Sequence, residues 1–234
     1  MHKSAARYLI FFQYTGTKYS GVMKTAADQA VEGVENHLES AVRKLKPVNE
    51  VSVVISSRTD TGVHALCNSA HVDIQRRGDK PPLLEQDLVD ALNFHLKAEP
   101  IRITRAYRVH SDFHARYRAV SRTYVYRFAS GLRHHTEMPV TERDLCWALR
   151  DTDIQFWELT FKSRSFLYRQ VRRMTGALVA VGQGRLSVRQ IQELLEARDS
   201  LAFPQNLTAP AHGLFLTNIQ YRETDLGACR LAEQ

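Results

Sequence analysis

Hydrophobic positions fall into two rhythms along this chain, and each rhythm predicts its own kind of element. Residues 7–14 are almost wholly aromatic or aliphatic, which predicts a strand. Ala30, Val34, Leu38, Ala41 and Leu45 recur every three or four positions, so residues 27–45 predict an amphipathic helix. Residues 51–56 and 63–74 predict two more strands, with a polar turn over 57–62 between them. After the break at Pro81-Pro82, residues 83–96 predict a helix. Residues 101–109 and 118–128 predict strands, the second alternating around Tyr124 and Tyr126, and residues 154–161 predict another. A helix over 165–181 would bury Phe166, Leu167, Val171, Met174, Leu178 and Val181 and turn Arg169, Arg172 and Arg173 to the opposite face. A short helix over 188–197 and a closing strand over 213–221 complete the series. The elements lack a regular strand–helix–strand rhythm, so the expected class is α+β with a largely antiparallel sheet. Two lobes are expected, 1–108 and 109–234, with a weak break between Arg108 and Asp112.

The chain has 234 residues, and one of this length buries roughly 70% of the surface its unfolded form exposes. No apolar run approaches the ~18 residues of a membrane span, and the apolar stretch over 8–12 is too short for a secretory signal. No membrane partner is therefore expected. Cys67, Cys146 and Cys229 are odd in number and far apart, which suits a reducing compartment and gives no metal-ligand spacing.

Charge changes the picture more. The formal net charge is +7, yet residues 101–190 alone hold 17 basic and 7 acidic side chains, 16 of the basic ones Arg. Arg offers a planar fork that matches phosphate oxygens and stacks on bases. Such a block reads as a polyanion-binding surface, nucleic acid being the usual partner. A solvated basic face is the plain alternative.

The sharpest chemical feature is Ser57-Arg58-Thr59-Asp60-Thr61-Gly62-Val63-His64-Ala65, on a turn after an apolar strand. Carboxylates near a guanidinium favour their ionised form, and an ionised carboxylate serves as nucleophile or electrostatic stabiliser. An Asp–Gly turn with an incidental ion pair explains the same residues. Two further segments stand out: Phe113-His114-Ala115-Arg116 leading into Arg122, Tyr124 and Tyr126, and the Arg-bearing helix around Arg172. For these the plain readings are strand packing and a solvated helix face. No Walker loop or dinucleotide-binding glycine turn is present, and Gly182-Gln183-Gly184 reads as a helix stop. Metal sets are not expected: His134-His135 is a solvated pair, His110 and His114 sit on a loop, and His64 and Cys67 face opposite sides of a strand.

Read together, these motifs resemble the tRNA pseudouridine synthase A family, in its eukaryotic pseudouridine synthase-like branch. Tyr14-Thr15-Gly16 through Tyr19-Ser20-Gly21, the Asp60 octapeptide, Phe113 to Arg116 with Arg122-x-Tyr124-x-Tyr126, Phe166-Leu167 with Val171-Arg172 and Gly176, and Ala209 to Leu214 with Tyr221 match in order, nearly end to end. The resemblance implies a two-lobed pseudouridine synthase fold, a mixed, mostly antiparallel sheet flanked by helices with the active-site cleft between lobes. It implies isomerisation of uridine to pseudouridine in RNA, tRNA above all, without a cofactor. Asp60 would be the catalytic aspartate, acting at the ribose while the glycosidic bond breaks. Arg172 would pair with it, Tyr124 would stack on the target base, Arg58 would lever the uridine out, and His64 belongs to the same substrate-binding motif. Arg116, Arg122, Arg169 and Arg173 would hold RNA. The branch suggests the mitochondrial matrix, the cytoplasm being the alternative, and resemblance to the family's bacterial members, which are dimers, makes a homodimer an expectation.

The chain departs from the family pattern at Val22-Met23, at Arg169, and most of all between Asp153 and Ile154, where a longer stretch with a helix and a strand is expected and missing. That gap favours an alternative, an RNA-binding protein of the same fold with impaired catalysis. An aspartic protease, suggested by Asp60-Thr61-Gly62, would need a second such triplet, and the sequence holds one.

Overall fold

The computed structural model describes residues 5–26, 28–78, 80–132, 134–150, 154–199 and 201–227. Among them are β1 (Ala6–Tyr14), α1 (Val34–Lys44), β2 (Val53–Ile55), β3 (His64–Ile74), α2 (Glu85–His95), β4 (Ile101–Val109), β5 (Ser121–Ser130), β6 (Trp147–Ala148), β7 (Gln155–Ser163), α3 (Gln170–Gly182), α4 (Val188–Ala197), β8 (Leu214–Gln220) and α5 (Glu223–Gly227). The strands pair in the order β4-β1-β3-β8-β5-β6, with β2 also on β3 and β7 also on β5. β1 runs antiparallel to β3 and β4, and β2 antiparallel to β3, while β5 and β6 are parallel. The result is the expected α+β class with a mixed sheet.

The chain divides into two compact units, 1–123 with 216–234, and 124–215. A cut at 108/109 would leave out of the first unit the start of β5 and the return of the chain along β8. That return is held by Val120 N–H donating to the Gln220 carbonyl (2.7 Å) and Thr217 Oγ1 donating to the Thr123 carbonyl (3.1 Å).

In the first unit β1 lies between two strands and is buried on both faces, with Tyr8 to Phe12 all essentially inaccessible. A strand covered on both sides reads as a continuous apolar run. α1 begins at Val34, later than the predicted 27. Gly33 decides this: it is extended, and a Cβ there would lie 1.8 Å from the Met23 carbonyl. The close pass lets the Gly21 and Val22 carbonyls accept the first helical N–H groups, of Val34 and Glu35 (3.1 and 2.9 Å). Val34, Leu38, Ala41 and Val42 form the buried stripe.

In the second unit α3 is rotated from the expected facing. Its buried stripe is Val171, Thr175, Gly176 and Ala180, while Leu167 is 80% exposed, Leu178 56%, and Met174 is also exposed. Small residues allow the close approach: a Cβ at Gly176 would sit 1.7 Å from the Leu207 carbonyl oxygen. Arg172 and Arg173 are consequently half-buried rather than solvated, a correction to the expected polar face. α3 starts at Gln170 because Arg169 is left-handed (φ 55°), and it stops at Gly182 as read, with Gly184 at φ 68°.

β7 and α4 form where expected but remain bare. Every residue of β7 is exposed or half-exposed, including Phe156 and Trp157, and α4 buries none of its residues although Val188 and Leu195 are apolar. An amphipathic element needs a second layer to cover its apolar side, and the described residues do not supply one here. The junction between Asp153 and Ile154 involves residue 153, which lies outside the described residues.

Two measurements follow from this. Bare apolar surface binds hydrophobic dyes and opens easily, so the native protein should enhance ANS fluorescence, and limited trypsin digestion should cut within 155–201 before it cuts β1 or β3. Equal resistance of both units would contradict the bare layer. In the first unit, buried His71 accepts the Ala115 N–H on Nδ1 (3.2 Å). Burial, then the Arg7 and His114 charges, push it from its ordinary 6.5 down to about 4. The unfolded chain binds this proton first, so stability falls as pH drops from 6.5 to 4, by about 1 kcal/mol per pH unit. His71→Asn keeps an acceptor near that position without titrating, and its melting temperature should decline less steeply between pH 6.5 and 4.

Candidate functional site

Alternating burial shapes the loop after β2. Ser57 and Thr59 are buried, Arg58 is exposed and Asp60 is half-exposed. The buried members are tied down one by one. Tyr14 Oη and Thr59 Oγ1 share a buried hydrogen bond (2.7 Å), and Asn68 Nδ2 donates to the Ser57 carbonyl (3.0 Å). The Thr59 carbonyl accepts from Val22 N–H (3.2 Å), and Thr61 Oγ1 donates to the Ser20 carbonyl (2.8 Å). The Asp60 carbonyl accepts from Val63 N–H (3.1 Å), closing a turn whose third residue, Gly62, has φ 77°. Gly21 (φ 118°) is needed for a second reason, since a Cβ there would lie 2.8 Å from the Thr59 carbonyl oxygen. The Asp60 carboxylate is therefore carried on a backbone with little freedom.

β1 delivers Tyr14 to this loop through a register shift between Phe12 and Tyr14, which brings Tyr14 opposite Ala65. Burial pushes the Tyr14 hydroxyl up to about 12, so it stays protonated and bridges Thr59 and Asn68 as a neutral group. His64 is 1% exposed, and its Nδ1 accepts Gly16 N–H (3.1 Å). It thereby joins the Tyr14–Gly21 motif to the Asp60 motif from inside the fold. A Cβ on Gly16 would lie 2.0 Å from the Val63 carbonyl oxygen, so this junction requires glycine.

Arg122 is half-buried. Its Nε donates to Ser57 Oγ (3.1 Å), and one terminal nitrogen donates to the Arg116 carbonyl (2.8 Å) and, more weakly, to the Ser56 carbonyl (3.4 Å). The guanidinium thus braces the Asp60 loop against the segment after Phe113, a role the sequence pattern does not signal. Arg116 itself is exposed. The first unit therefore brings together Asp60, Arg58, His64, Arg116 and Arg122.

The second unit holds Tyr124, Arg169, Arg172 and Arg173. Tyr124 is buried edge-to-face on Phe166 (centroids 5.3 Å apart). Tyr126, two residues on along β5, donates its hydroxyl to the Pro210 carbonyl (2.7 Å) and fits against Gly213, where a Cβ would lie 2.7 Å from its ring. Burial raises the Tyr126 hydroxyl far above its ordinary range. Arg172 Nε donates to the Ala209 carbonyl (2.7 Å), and Ala209 N–H donates back to the Arg172 carbonyl (3.1 Å). This reciprocal pair fixes the arginine to the chain that leads into β8. Arg169 stacks over Tyr168 (4.9 Å), and Arg173 lies over the Phe203 ring (5.9 Å). A cavity of about 570 Å³ opens among Met138, Cys146, Trp147, Pro210 and His212. Its cysteine is raised to about 11 by burial, so the thiol is not an activated nucleophile. Among the described residues no three His, Cys, Asp or Glu side chains converge as a metal set does, and no helix is long and apolar enough to cross a membrane.

The chain matches the tRNA pseudouridine synthase family over residues 10–118 and 127–222. It is similar to tRNA pseudouridine synthase-like 1 of Xenopus laevis, 48% identical over 283 aligned residues covering 97% of this chain and 95% of that protein. The Homo sapiens protein of that name is 41% identical, with 97% and 93% covered. tRNA pseudouridine synthase A of Maricaulis maris is 34% identical over 256 residues, with 92% and 98% covered. The 283-residue alignment is longer than the 234 residues of this chain, so the Xenopus protein carries residues with no counterpart here. The match takes in both units and displaces the aspartic protease reading of Asp60-Thr61-Gly62. With a family match over most of its length and relatives of this identity and coverage, the chain belongs to the tRNA pseudouridine synthase family.

Proposed function

We propose that this protein isomerises uridine to pseudouridine in RNA, with Asp60 as the catalytic carboxylate. The observation that carries the reading is the braced Asp60 turn: a half-exposed carboxylate, two residues along from an exposed Arg58, on a loop held by the bonds of Ser57 and Thr59 to Asn68, Arg122 and Tyr14. Reaction at a sugar carbon needs a carboxylate placed before the substrate arrives, because positioning supplies much of the rate. Asp60 acts at the ribose of the target uridine while the glycosidic bond breaks. The freed uracil turns and is rejoined through C5, so nothing is added to or lost from the RNA beyond proton exchange and no cofactor takes part. Tyr124 and Arg172 carry the roles that the family resemblance gives them, base stacking and support of the ionised carboxylate. Extruding the base costs a few kcal/mol, and aromatic contact offsets part of it. tRNA is the substrate class that the relatives' names supply. The same reading makes the protein a homodimer of the mitochondrial matrix, with the cytoplasm as the alternative address. Light scattering and cell fractionation read these two points.

A second reading has an observation of its own. The bare faces of β7 and α4, and an alignment longer than this chain, favour an RNA-binding protein with impaired catalysis.

Tritium release from C5-labelled uridine in a tRNA transcript separates the two. The wild-type chain should release tritium. Asp60→Ala should lower release by about a hundredfold or more while RNA affinity stays within about threefold, less than the tenfold worth ~1.4 kcal/mol. Retained binding with no release by the wild type would select the impaired binder. Affinity for RNA should also fall steeply with salt, by about a thousandfold between about 50 and 200 mM if six or more phosphates are contacted. A flat response would remove the arginine block as the RNA surface.

A further inference from the structure

In the first unit three rings lie in sequence from the interior to the surface. His71 is buried in β3, His114 packs against it at 4.9 Å between centroids, and Tyr117 lies on His114 at 4.3 Å with the ring planes only 34° apart. Exposure grows along the series, and Tyr117 ends it with 75% of its surface open to solvent. A tyrosine this exposed gains little for the fold, yet its position is held. His114 Nδ1 accepts Arg116 N–H (3.2 Å), and the His114 carbonyl accepts Arg118 N–H (2.9 Å), so the backbone on both sides of Tyr117 is tied to the histidine beneath it. Burial and the nearby Arg7 charge lower His114 from its ordinary value, so a neutral ring backs the tyrosine near pH 7.

Charge flanks the platform. Arg116 and Arg118 are exposed on either side. Arg118 is oriented by Asp112 (3.2 Å) and Asp225 (3.8 Å). The segment is also wired to the candidate catalytic loop, because the Arg122 guanidinium that holds Ser57 Oγ also holds the Arg116 carbonyl, one residue before Tyr117. A rigid aromatic face open to solvent with cations beside it matches how unpaired bases are bound: the base stacks on the ring and the phosphates on either side meet the cations.

We propose that Tyr117, backed by His114 and flanked by Arg116 and Arg118, is a stacking site for an unpaired base of the substrate RNA. It is distinct from the site at Asp60 but rigidly joined to it through Arg122. This rests on the reading of the protein as an RNA-modifying enzyme, and it adds a contact for a second base besides the target uridine. A base captured at Tyr117 fixes the register of the strand relative to Asp60, so the site contributes to the choice of uridine as well as to affinity.

The experiment uses the full chain with an unmodified tRNA transcript and, in parallel, a single-stranded oligonucleotide. Tyr117→Ala should weaken binding of both by about tenfold, within the range for loss of one stacked base. Tyr117→Phe should stay within about twofold of wild type, since a ring without its hydroxyl still stacks. The salt slope should be unchanged in Tyr117→Ala and reduced by about one in Arg116→Gln, because stacking releases no counterions and a phosphate contact does. In tritium release, Tyr117→Ala should raise KM with kcat retained. Unchanged affinity in Tyr117→Ala, or an equal loss in Tyr117→Phe, overturns the stacking site. The two readings fail separately. A wild type that binds RNA through Tyr117 without releasing tritium keeps the stacking site and loses the synthase. A wild type that releases tritium with the same KM as Tyr117→Ala keeps the synthase and loses the stacking site.

Discussion

The Arg122 guanidinium, together with a buried bond from Ser56 Oγ to the Ala115 carbonyl (3.0 Å), holds together two segments far apart in the chain. Its Nε is bonded to Ser57 on the loop that carries Asp60, and a terminal nitrogen is bonded to the Arg116 carbonyl on the loop that carries Tyr117. A planar cation with donors in a fixed fork suits this better than a flexible ammonium, since satisfying several acceptors at once fixes their mutual angle. Half-burial strengthens each bond by excluding water, at the cost of desolvating the charge. The first unit's chemistry leans on this joint: without it the Asp60 loop would keep its bonds to Tyr14, Asn68 and Val22, and Ser56 its buried bond to the Ala115 carbonyl (3.0 Å), but the Ser57 hydroxyl would lose its link to the Arg116 carbonyl.

The glycines of the first unit serve the same end by removing atoms. Gly16, Gly21 and Gly33 each stand where a Cβ would overlap a carbonyl, of Val63, Thr59 and Met23 in turn. Three chain segments can therefore stack at backbone distance, and their polar groups find one another instead of water. Tyr14 and His64 complete the block from within, each buried and each making its hydrogen bond across the junction. A carboxylate on such a support needs little reorganisation before reaction, which is the physical content of preorganisation.

The second unit follows a different economy. α3 lies so close to the Leu207 carbonyl that only Gly176 fits, and Arg172 is locked to Ala209 by a reciprocal pair of bonds. Its other elements are under-covered: β7 and α4 present apolar side chains to water. The Xenopus relative carries residues that this chain does not match. An element without a covering layer still forms, because its backbone bonds are local or paired, yet it lacks the burial that would stabilise it.

Periodicity was enough to locate β1, β3, α2, β4 and α4, because their apolar spacing is a local property of consecutive residues, and the ordered motifs carried the family. Asp60 on a turn was legible for the same reason, since Asp, Thr and Gly at that spacing advertise a turn. Other features depended on how separate segments of the chain pass one another. The start of α1 was set by Met23 passing against Gly33, the facing of α3 by Leu207 passing against Gly176, and the role of Arg122 by acceptors more than sixty positions away at Ser57. The pattern marked Leu167 and Leu178 as core, and it could not foresee that nothing among the described residues would cover them. Hydrophobic rhythm states which side of an element wants cover, and only the assembled chain decides whether cover exists and which backbone comes close enough to bond.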